Sequence, residues 1–197
     1  MSNLIPGRGS LVGLIRALRN SDQTAQPIRL DAQTNSIQTI DYEHHEVHAG
    51  SHFFYTDSVV LGNAEVQDYL ITTPNTTKWT HLTFSATGSV ITQVQLYEGS
   101  DKSGTAPQTL YNSDRNSATA ATLAVAKGTS GGLTDGTLIW QMKSGLATGQ
   151  SRAGMIANRS NVIILKQNTK YILRITSGTA GNLINLQMEW YEHTNVI

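Results

Sequence analysis

The stretch WTHLTFSATG at residues 79–88 alternates apolar and polar side chains with a period of two. Leu82 and Phe84 fall on one face, and His81 and Thr83 fall on the other, as in a strand with one buried face. The stretch VITQVQLYEG at residues 90–99 continues with the same period after a short turn. The sequence therefore predicts that these two segments are strands of one hairpin.

Further strand patterns follow along the chain. Residues 169–176 and 183–190 are predicted to form a second pair around the turn SGTAGN, and strands are also predicted at 68–73, 137–143 and 161–166. The last of these, NVIILK, is too apolar to be expected to face water on either side. Short polar turns separate the strands, and no helical pattern lies between them. We therefore expect an all-β fold, a β-sandwich or jelly-roll-like domain over residues 36–197.

Composition agrees with a sheet protein whose polar groups are mostly neutral. Charged residues make up only 14% of the chain, which instead contains 24 Thr, 17 Ser, 13 Asn and 12 Gln. Threonine suits pleated sheets, while serine, asparagine and glycine suit their turns. The segment 112–136, rich in Ala, Thr, Ser and Gly, is predicted to be a long loop with a short strand near 123–126. It would serve either self-association and partner contact or no function beyond that of a flexible tip.

Residues 1–35 are predicted to form an extended N-terminal arm with a short amphipathic helix at about 10–19. Its apolar residues recur at helical spacing, although Gly13 and the short length weaken the helix. Residues 1–30 carry four arginines against Asp22 alone, a net charge of +3. The arm is either a solvated tail or a contact element on an acidic partner. Its candidate partner-binding residues are Arg8, Leu11, Leu14, Ile15, Arg16, Leu18 and Arg19.

Four of the six histidines lie within DYEHHEVHAGSH, residues 41–52. A helix would align His44, His48 and His52, but the H-E-x-x-H spacing of zinc proteases is absent, and Gly50 interrupts the helix. A strand would place His44, Glu46 and His48 on one face. We therefore predict a strand whose histidines are solvated or paired across strands, with no metal site. The repeated YEH at 42–44 and 191–193 further suggests that the first and last strands bring His44 close to His193.

Several classes of function are excluded or disfavoured. The chain has no cysteine, and hence no disulfide or thiol chemistry, and no basic run typical of nucleic-acid binding. No apolar stretch is long enough for a membrane span, and the N-terminal residues lack signal-peptide features, so we expect synthesis in a cytoplasm. No catalytic motif is present, and we expect neither enzymatic activity nor a cofactor. Four aromatic residues could form a sugar platform, but packing is the expected role of Tyr97, Trp140, Trp190 and Tyr191.

Six phrases, in order over about residues 40–194, resemble structural proteins of tailed bacteriophages, and most closely the capsid cement proteins, also called decoration or auxiliary proteins. The phrases are YEHHEVHAGSHFF (42–54), YLITTPNTTKWTHLTF (69–84), VQLYEG (94–99), YNSDRNSAT (111–119), IILKQNTKYILRIT (163–176) and LQMEWYEHT (186–194). The resemblance implies a small β-sandwich or barrel that binds the outer surface of the expanded icosahedral capsid. It also implies that the protein bridges major capsid protein subunits, associates with copies of itself at symmetry axes and needs no cofactor.

Two other hypotheses remain open from the sequence. One is a receptor- or carbohydrate-binding β-sandwich module of a phage tail fibre or baseplate, which would place exposed aromatic residues in a groove. The other is a metal-dependent enzyme that uses the histidine cluster around His44 and His48.

Overall fold

The computed structural model describes residues 42–145 and 155–194, together with two short strands, β1 (Arg16–Leu18) and β2 (Ala25–Pro27). The strands β1 and β2 pair antiparallel in a unit separate from the body, Glu43–Asn195. The predicted helix at 10–19 is therefore wrong over Arg16–Leu18, because a ten-residue helix containing Gly13 is marginal and strand pairing replaces it. The other candidate arm residues, Arg8, Leu11, Leu14, Ile15 and Arg19, lie outside the described residues.

The body is a β-sandwich of two antiparallel sheets, as predicted. The five-stranded sheet has the order β11–β5–β13–β3–β8, and its strands are β3 (His52–Leu61), β5 (Lys78–Gly88), β8 (Tyr111–Asn112), β11 (Met155–Leu165) and β13 (Asn182–Thr194). The six-stranded sheet has the order β10–β6–β12–β4–β9–β7, and its strands are β4 (Val66–Thr72), β6 (Thr92–Glu98), β7 (Ser103–Pro107), β9 (Ala124–Ser130), β10 (Thr137–Ser144) and β12 (Lys170–Ser177). One helix, α1 (Tyr42–His48), precedes β3.

The core lies between the two sheets and is built from the period-two positions of both. Leu82, Phe84 and Ala86 of β5 and Ile184, Leu186, Met188 and Trp190 of β13 face the inner side chains of the six-stranded sheet, among them Val94, Leu96, Tyr171, Leu173 and Ile175. Each of these side chains is almost completely buried. Burial of a large apolar side chain contributes about 1.5–3 kcal/mol relative to exposure, so this layer supplies the main driving force for folding.

Both predicted hairpins are wrong, although all four strands exist. β5 and β13 belong to the five-stranded sheet, whereas β6 and β12 belong to the six-stranded sheet. The chain therefore crosses from one sheet to the other at 88–92 and again at 177–182. A period of two shows which residues are buried, but it is the same for two strands paired edge to edge and for two strands facing each other across a core.

Asn182 joins the two crossings. Its buried side chain accepts a hydrogen bond from the backbone N–H of Val90 at 3.2 Å and donates to the carbonyl oxygen of Ile91 and to Thr92 Oγ1 at 3.1 and 2.9 Å. The first crossing is also tight, because a Cβ added at Gly88 would lie 1.9 Å from Thr92 Oγ1. The two crossings are thus fixed to each other by one amide.

The segment 112–136 is not one long loop. It includes β9, which pairs with β4 and β7 inside the six-stranded sheet, so the short strand predicted near 123–126 is confirmed and extends to Ser130. Just before β9, the backbone N–H groups of Thr122 and Leu123 donate to the carboxylate of Glu192 on β13. The indole N–H of Trp190 donates to the same buried carboxylate at 3.0 Å. With the hydroxyl of Thr122, four donors in all satisfy this carboxylate and fix the start of β9.

The outer face of the six-stranded sheet carries a network of ion pairs. Arg174 forms a bidentate pair with Asp68 at 2.8 and 2.9 Å and a second pair with Asp135, which also contacts Lys102. Hydrogen bonds from Arg174, assisted by Lys102, lower the pKa of Asp135 to about 2 against the opposing effect of burial. The network holds the segment around residue 135 against this sheet.

The strand β11 is an edge strand, and the expectation that it is buried on both faces is wrong. Ile163 packs against the core, and Leu165 is buried, but Val162 and Ile164 are 42% and 56% exposed. In the other sheet β10 is also an edge strand; it lies next to β11 and exposes Leu138, Ile139 and Met142. We call this side of the sandwich, formed by β10 and β11, the lateral side.

We expect the substitution Asn182→Ala to lower the free energy of unfolding by about 2 kcal/mol, because it removes the hydrogen bonds that join the second crossing to Val90, Ile91 and Thr92 of the first. Urea unfolding of the purified protein measures this. The matched control is Asn185→Ala on the exposed face of β13, whose amide bonds to the hydroxyls of Ser58 and Thr87. Its expected cost is below about 0.5 kcal/mol, and equal losses in the two variants would contradict the role of Asn182.

Candidate functional site

The histidine-rich stretch forms the helix α1 and not the predicted strand. The helix ends in a C-terminal cap, in which the N–H of Gly50 donates to the carbonyl of Val47 at 3.0 Å and that of Ser51 donates to the carbonyl of Glu46 at 3.0 Å. Gly50 takes the left-handed conformation, with φ of +69°, that this cap requires. The glycine that argued against a helix through His52 is therefore the residue that ends the helix. Its position directly after a basic last turn is a signal that could have revealed α1.

Three aromatic and imidazole side chains form a row across the five-stranded sheet beneath α1. The register places His81 of β5, Tyr191 of β13 and His52 of β3 side by side. The helix lies over this row, since Glu43 Oε1 is 3.5 Å from His52 Nε2, and Glu46 acts electrostatically on His81 and Tyr191. With His193 beside His81, all six histidines of the chain collect here. We call this region the histidine end.

Two histidine pairs are present. On α1 the Nε2 atoms of His44 and His48 are 3.0 Å apart, as expected for residues one helical turn apart. In the sheet the Nε2 atoms of His81 and His193 are 2.8 Å apart, and the ring of His81 stacks on Tyr191 with centroids 4.4 Å apart. In each close pair one ring nitrogen donates a hydrogen bond and the other accepts it.

Burial dominates the electrostatics of His81. Desolvation, reinforced by His193, lowers the pKa of His81 to about 4, although Glu46 acts in the opposite direction. Burial, followed by the charges of Glu46 and Glu43, raises the pKa of Tyr191. Both shifts favour the neutral forms of His81 and Tyr191 in this layer beneath α1.

A second group in this region has the composition of a cation site. Glu43, His52 and Glu189 come from α1, β3 and β13, and each offers one ligand atom within 4.8 Å of the other two. The ring of His52 is almost buried, with Nδ1 2.7 Å from Ser113 Oγ. The sequence analysis did not identify Glu43, His52 and Glu189 as a group. These residues come together only because β3 pairs with β13.

The structure also bears on the prediction drawn from the repeated YEH at 42–44 and 191–193. The strand that follows the first YEH, β3, pairs with β13, which contains the second. The predicted approach of His44 to His193 rested on a strand at 42–44, and this premise is wrong because these residues are helical; the imidazole against His193 is that of His81.

The expectation that the aromatic residues serve packing is confirmed. Trp190 is buried in the core, and Trp140 packs edge-on against Phe84 at 5.1 Å. Tyr97 lies beneath the guanidinium of Arg174 at 5.3 Å. Beyond the histidine end, the centre of the five-stranded sheet presents a depression lined mainly by hydroxyl and amide side chains, namely Thr56, Ser58, Ser85, Thr87, Asn185 and Gln187.

No protein-family model, curated protein or solved structure matches this chain. Within the part of the chain that the structure describes, no helix is long and apolar enough to cross a membrane.

The pKa of His81 predicts a specific pH dependence. The unfolded chain protonates this ring near the ordinary value of 6.5, whereas the folded chain does so only near pH 4. The unfolded state therefore binds more protons between these values, and stability falls on acidification. After allowance for solvent screening, we expect His81 to contribute a loss of about 1 kcal/mol between pH 7 and pH 4.5.

Chemical unfolding of wild type and His81→Asn across this range measures the contribution. The stability difference between them should narrow by that amount as the pH falls. Thr87→Ala, which changes a residue of β5 that has no titratable side chain, is the control and should keep a constant difference from wild type. A difference for His81→Asn that does not change with pH would contradict the shifted pKa.

Proposed function

We propose that this chain is a non-enzymatic virion protein that binds the outer surface of a tailed-phage capsid and stabilises it by bridging neighbouring major capsid protein subunits. The observation that carries this proposal is the lateral side, where two adjacent edge strands expose five large apolar side chains, namely Leu138, Ile139, Met142, Val162 and Ile164. Large apolar side chains exposed on two neighbouring edge strands are typical of a protein–protein contact. The resemblance of residues 40–194 to cement proteins supplies the class of partner.

The construction of the body supports a mechanical role. Two sheets share one close-packed core, the crossings between them are fixed by Asn182, and the outer face of one sheet is braced by Arg174. Such a body transmits a load between partners without rearranging, because packed interiors have low compressibility. Bridging needs two attachments, and we assign one to the lateral side and one to the arm, residues 1–35. Because both attachments belong to one chain, binding of one raises the effective concentration of the other at its own site.

The arrangement of the aromatic residues favours this function over the receptor- or carbohydrate-binding module. Sugar platforms need an exposed ring face, whereas the rings of Tyr97 and Trp140 are engaged in contacts with Arg174 and Phe84. The hydroxyl- and amide-lined depression on the five-stranded sheet is the remaining place for a glycan. Glycan-array binding lost on Asn185→Ala would support the carbohydrate alternative and contradict the capsid proposal.

Deletion of residues 1–30 should abolish binding to expanded capsids that lack this protein, because one of the two linked attachments is lost. Cosedimentation with purified capsids measures binding, and circular dichroism verifies that the body remains folded. Wild-type binding by the folded deletion variant would contradict the role of the arm. Electron microscopy of virions carrying a labelled chain provides an independent check, since many copies over the shell are expected rather than a few on the tail.

The lateral side yields a separate prediction. Ile164→Asp should weaken binding to these capsids by at least about tenfold, equal to about 1.4 kcal/mol, because it places a charge in an apolar contact. The matched control is Val60→Asp, an exposed apolar residue of β3, which is separated from β11 by β5 and β13. Equal effects of the two substitutions would show that the contact lies elsewhere.

A further inference from the structure

We propose that Glu43, His52 and Glu189 form a binding site for a divalent transition-metal cation, best matched by zinc, which fastens α1 to the five-stranded sheet. The site goes beyond the proposed function, since nothing in capsid binding requires a metal. It rests on the contacts of three residues from three different elements of the fold.

The spacing of the ligand atoms fits a small cation. The separation of 3.5 Å between Glu43 Oε1 and His52 Nε2 is longer than a hydrogen bond. It matches the separation of about 3.4 Å between two ligands that each lie about 2.0–2.1 Å from a tetrahedral zinc ion. Glu189 completes a group in which all ligand atoms lie within 4.8 Å of one another. Glu43 is exposed and Glu189 is partly exposed, so both side chains have room to turn towards an ion.

Hydrogen bonds from neighbouring side chains orient the ligands. His52 is only 6% exposed, and its Nδ1 is 2.7 Å from Ser113 Oγ. The tautomer that donates Nδ1–H to Ser113 leaves the lone pair of Nε2 directed at Glu43, which is the usual arrangement of a metal-binding histidine. Glu189 Oε1 accepts a hydrogen bond from Gln187 Nε2 at 2.5 Å, so Oε2 remains for a cation.

The charge of the group calls for a cation. Two carboxylates approach each other here, and among the side chains that the structure describes neither Glu43 nor Glu189 forms an ion pair with lysine or arginine. A divalent ion would neutralise both carboxylates. One imidazole with two carboxylates suits zinc, whereas calcium and magnesium prefer oxygen ligands alone. The fourth position is left to water or to a side chain of another molecule.

The position of the site explains what the cation would do. α1 has only seven residues, too few for a stable isolated helix, and Glu43 lies in its first turn. A metal bound by Glu43, His52 and Glu189 joins that turn to β3 and β13. Because the ion binds the folded body and not the separated elements, it stabilises the body by linkage.

Isothermal titration of the chelator-treated full chain with zinc chloride, together with thermal unfolding in the presence and absence of zinc, tests the proposal. We expect stoichiometric binding and a higher Tm with zinc. Glu43→Gln and Glu189→Gln keep the side-chain shape, and both residues are partly exposed, so the variants remain folded. Each should weaken zinc binding by at least about tenfold and reduce the Tm shift. Ser113→Ala should weaken binding about tenfold through the orientation of His52.

The control is the double variant His44→Asn, His48→Asn, which removes the neighbouring exposed pair of imidazoles on α1 and should bind zinc as wild type does. Absence of stoichiometric binding to the wild-type chain would overturn the proposal. Unchanged zinc affinity in either glutamate variant would also overturn it. A loss of zinc affinity in the double histidine variant would overturn it too, regardless of the result for the glutamate variants.

Discussion

The crossing of the chain between its two sheets is the constraint on which the other features depend. Because β5 and β6 lie in different sheets, and so do β12 and β13, β13 can take the place between β5 and β3. This place brings His81, Tyr191 and His52 into one row, although they are far apart in the sequence. Two edge-to-edge hairpins would have put β6 beside β5 and separated these side chains. The buried amide of Asn182 holds the crossings together, so the geometry of the histidine end depends on a residue at the opposite end of β13.

The buried face of each strand could be predicted from the sequence, but the partner of each strand could not. Leu82 and Phe84 face the core as their period indicates, and the strand near 123–126 was found in a segment of small residues. Pairing depends on long-range contacts, which an alternating pattern does not encode. The edge position of β11 was missed for the same reason, because Val162 and Ile164 are apolar residues exposed to solvent. A run of apolar residues is consistent with burial on two faces and with a surface that contacts another molecule.

The helix α1 explains why the candidate site could not be predicted from the sequence. Its alternation of histidine with glutamate and valine favours a strand, while the positions of His44 and His48 suit a helix equally well. Gly50 favours the helix because its left-handed conformation caps the C-terminus of α1. A strand would have required extended backbone at this position. Once helical, the segment turns Glu43 and Glu46 towards the sheet. The composition of the histidine end was therefore visible in the sequence, but the pairing of Glu43 with His52 and Glu189 required the fold.

The distribution of charge bears on how the body could contact a partner. Four of the eight lysines and arginines whose side chains the structure describes are paired with carboxylates, namely Lys102 with Asp135, Lys127 with Asp57, Lys166 with Glu98 and Arg174 with Asp68 and Asp135. Such pairs cancel each other at distances beyond about 10 Å at ordinary ionic strength, and little long-range steering remains. The free energy of a contact must then come from apolar burial and shape. The lateral side provides the apolar groups, and the braced sheets hold them in a fixed arrangement, so that little conformational entropy is lost when a partner binds.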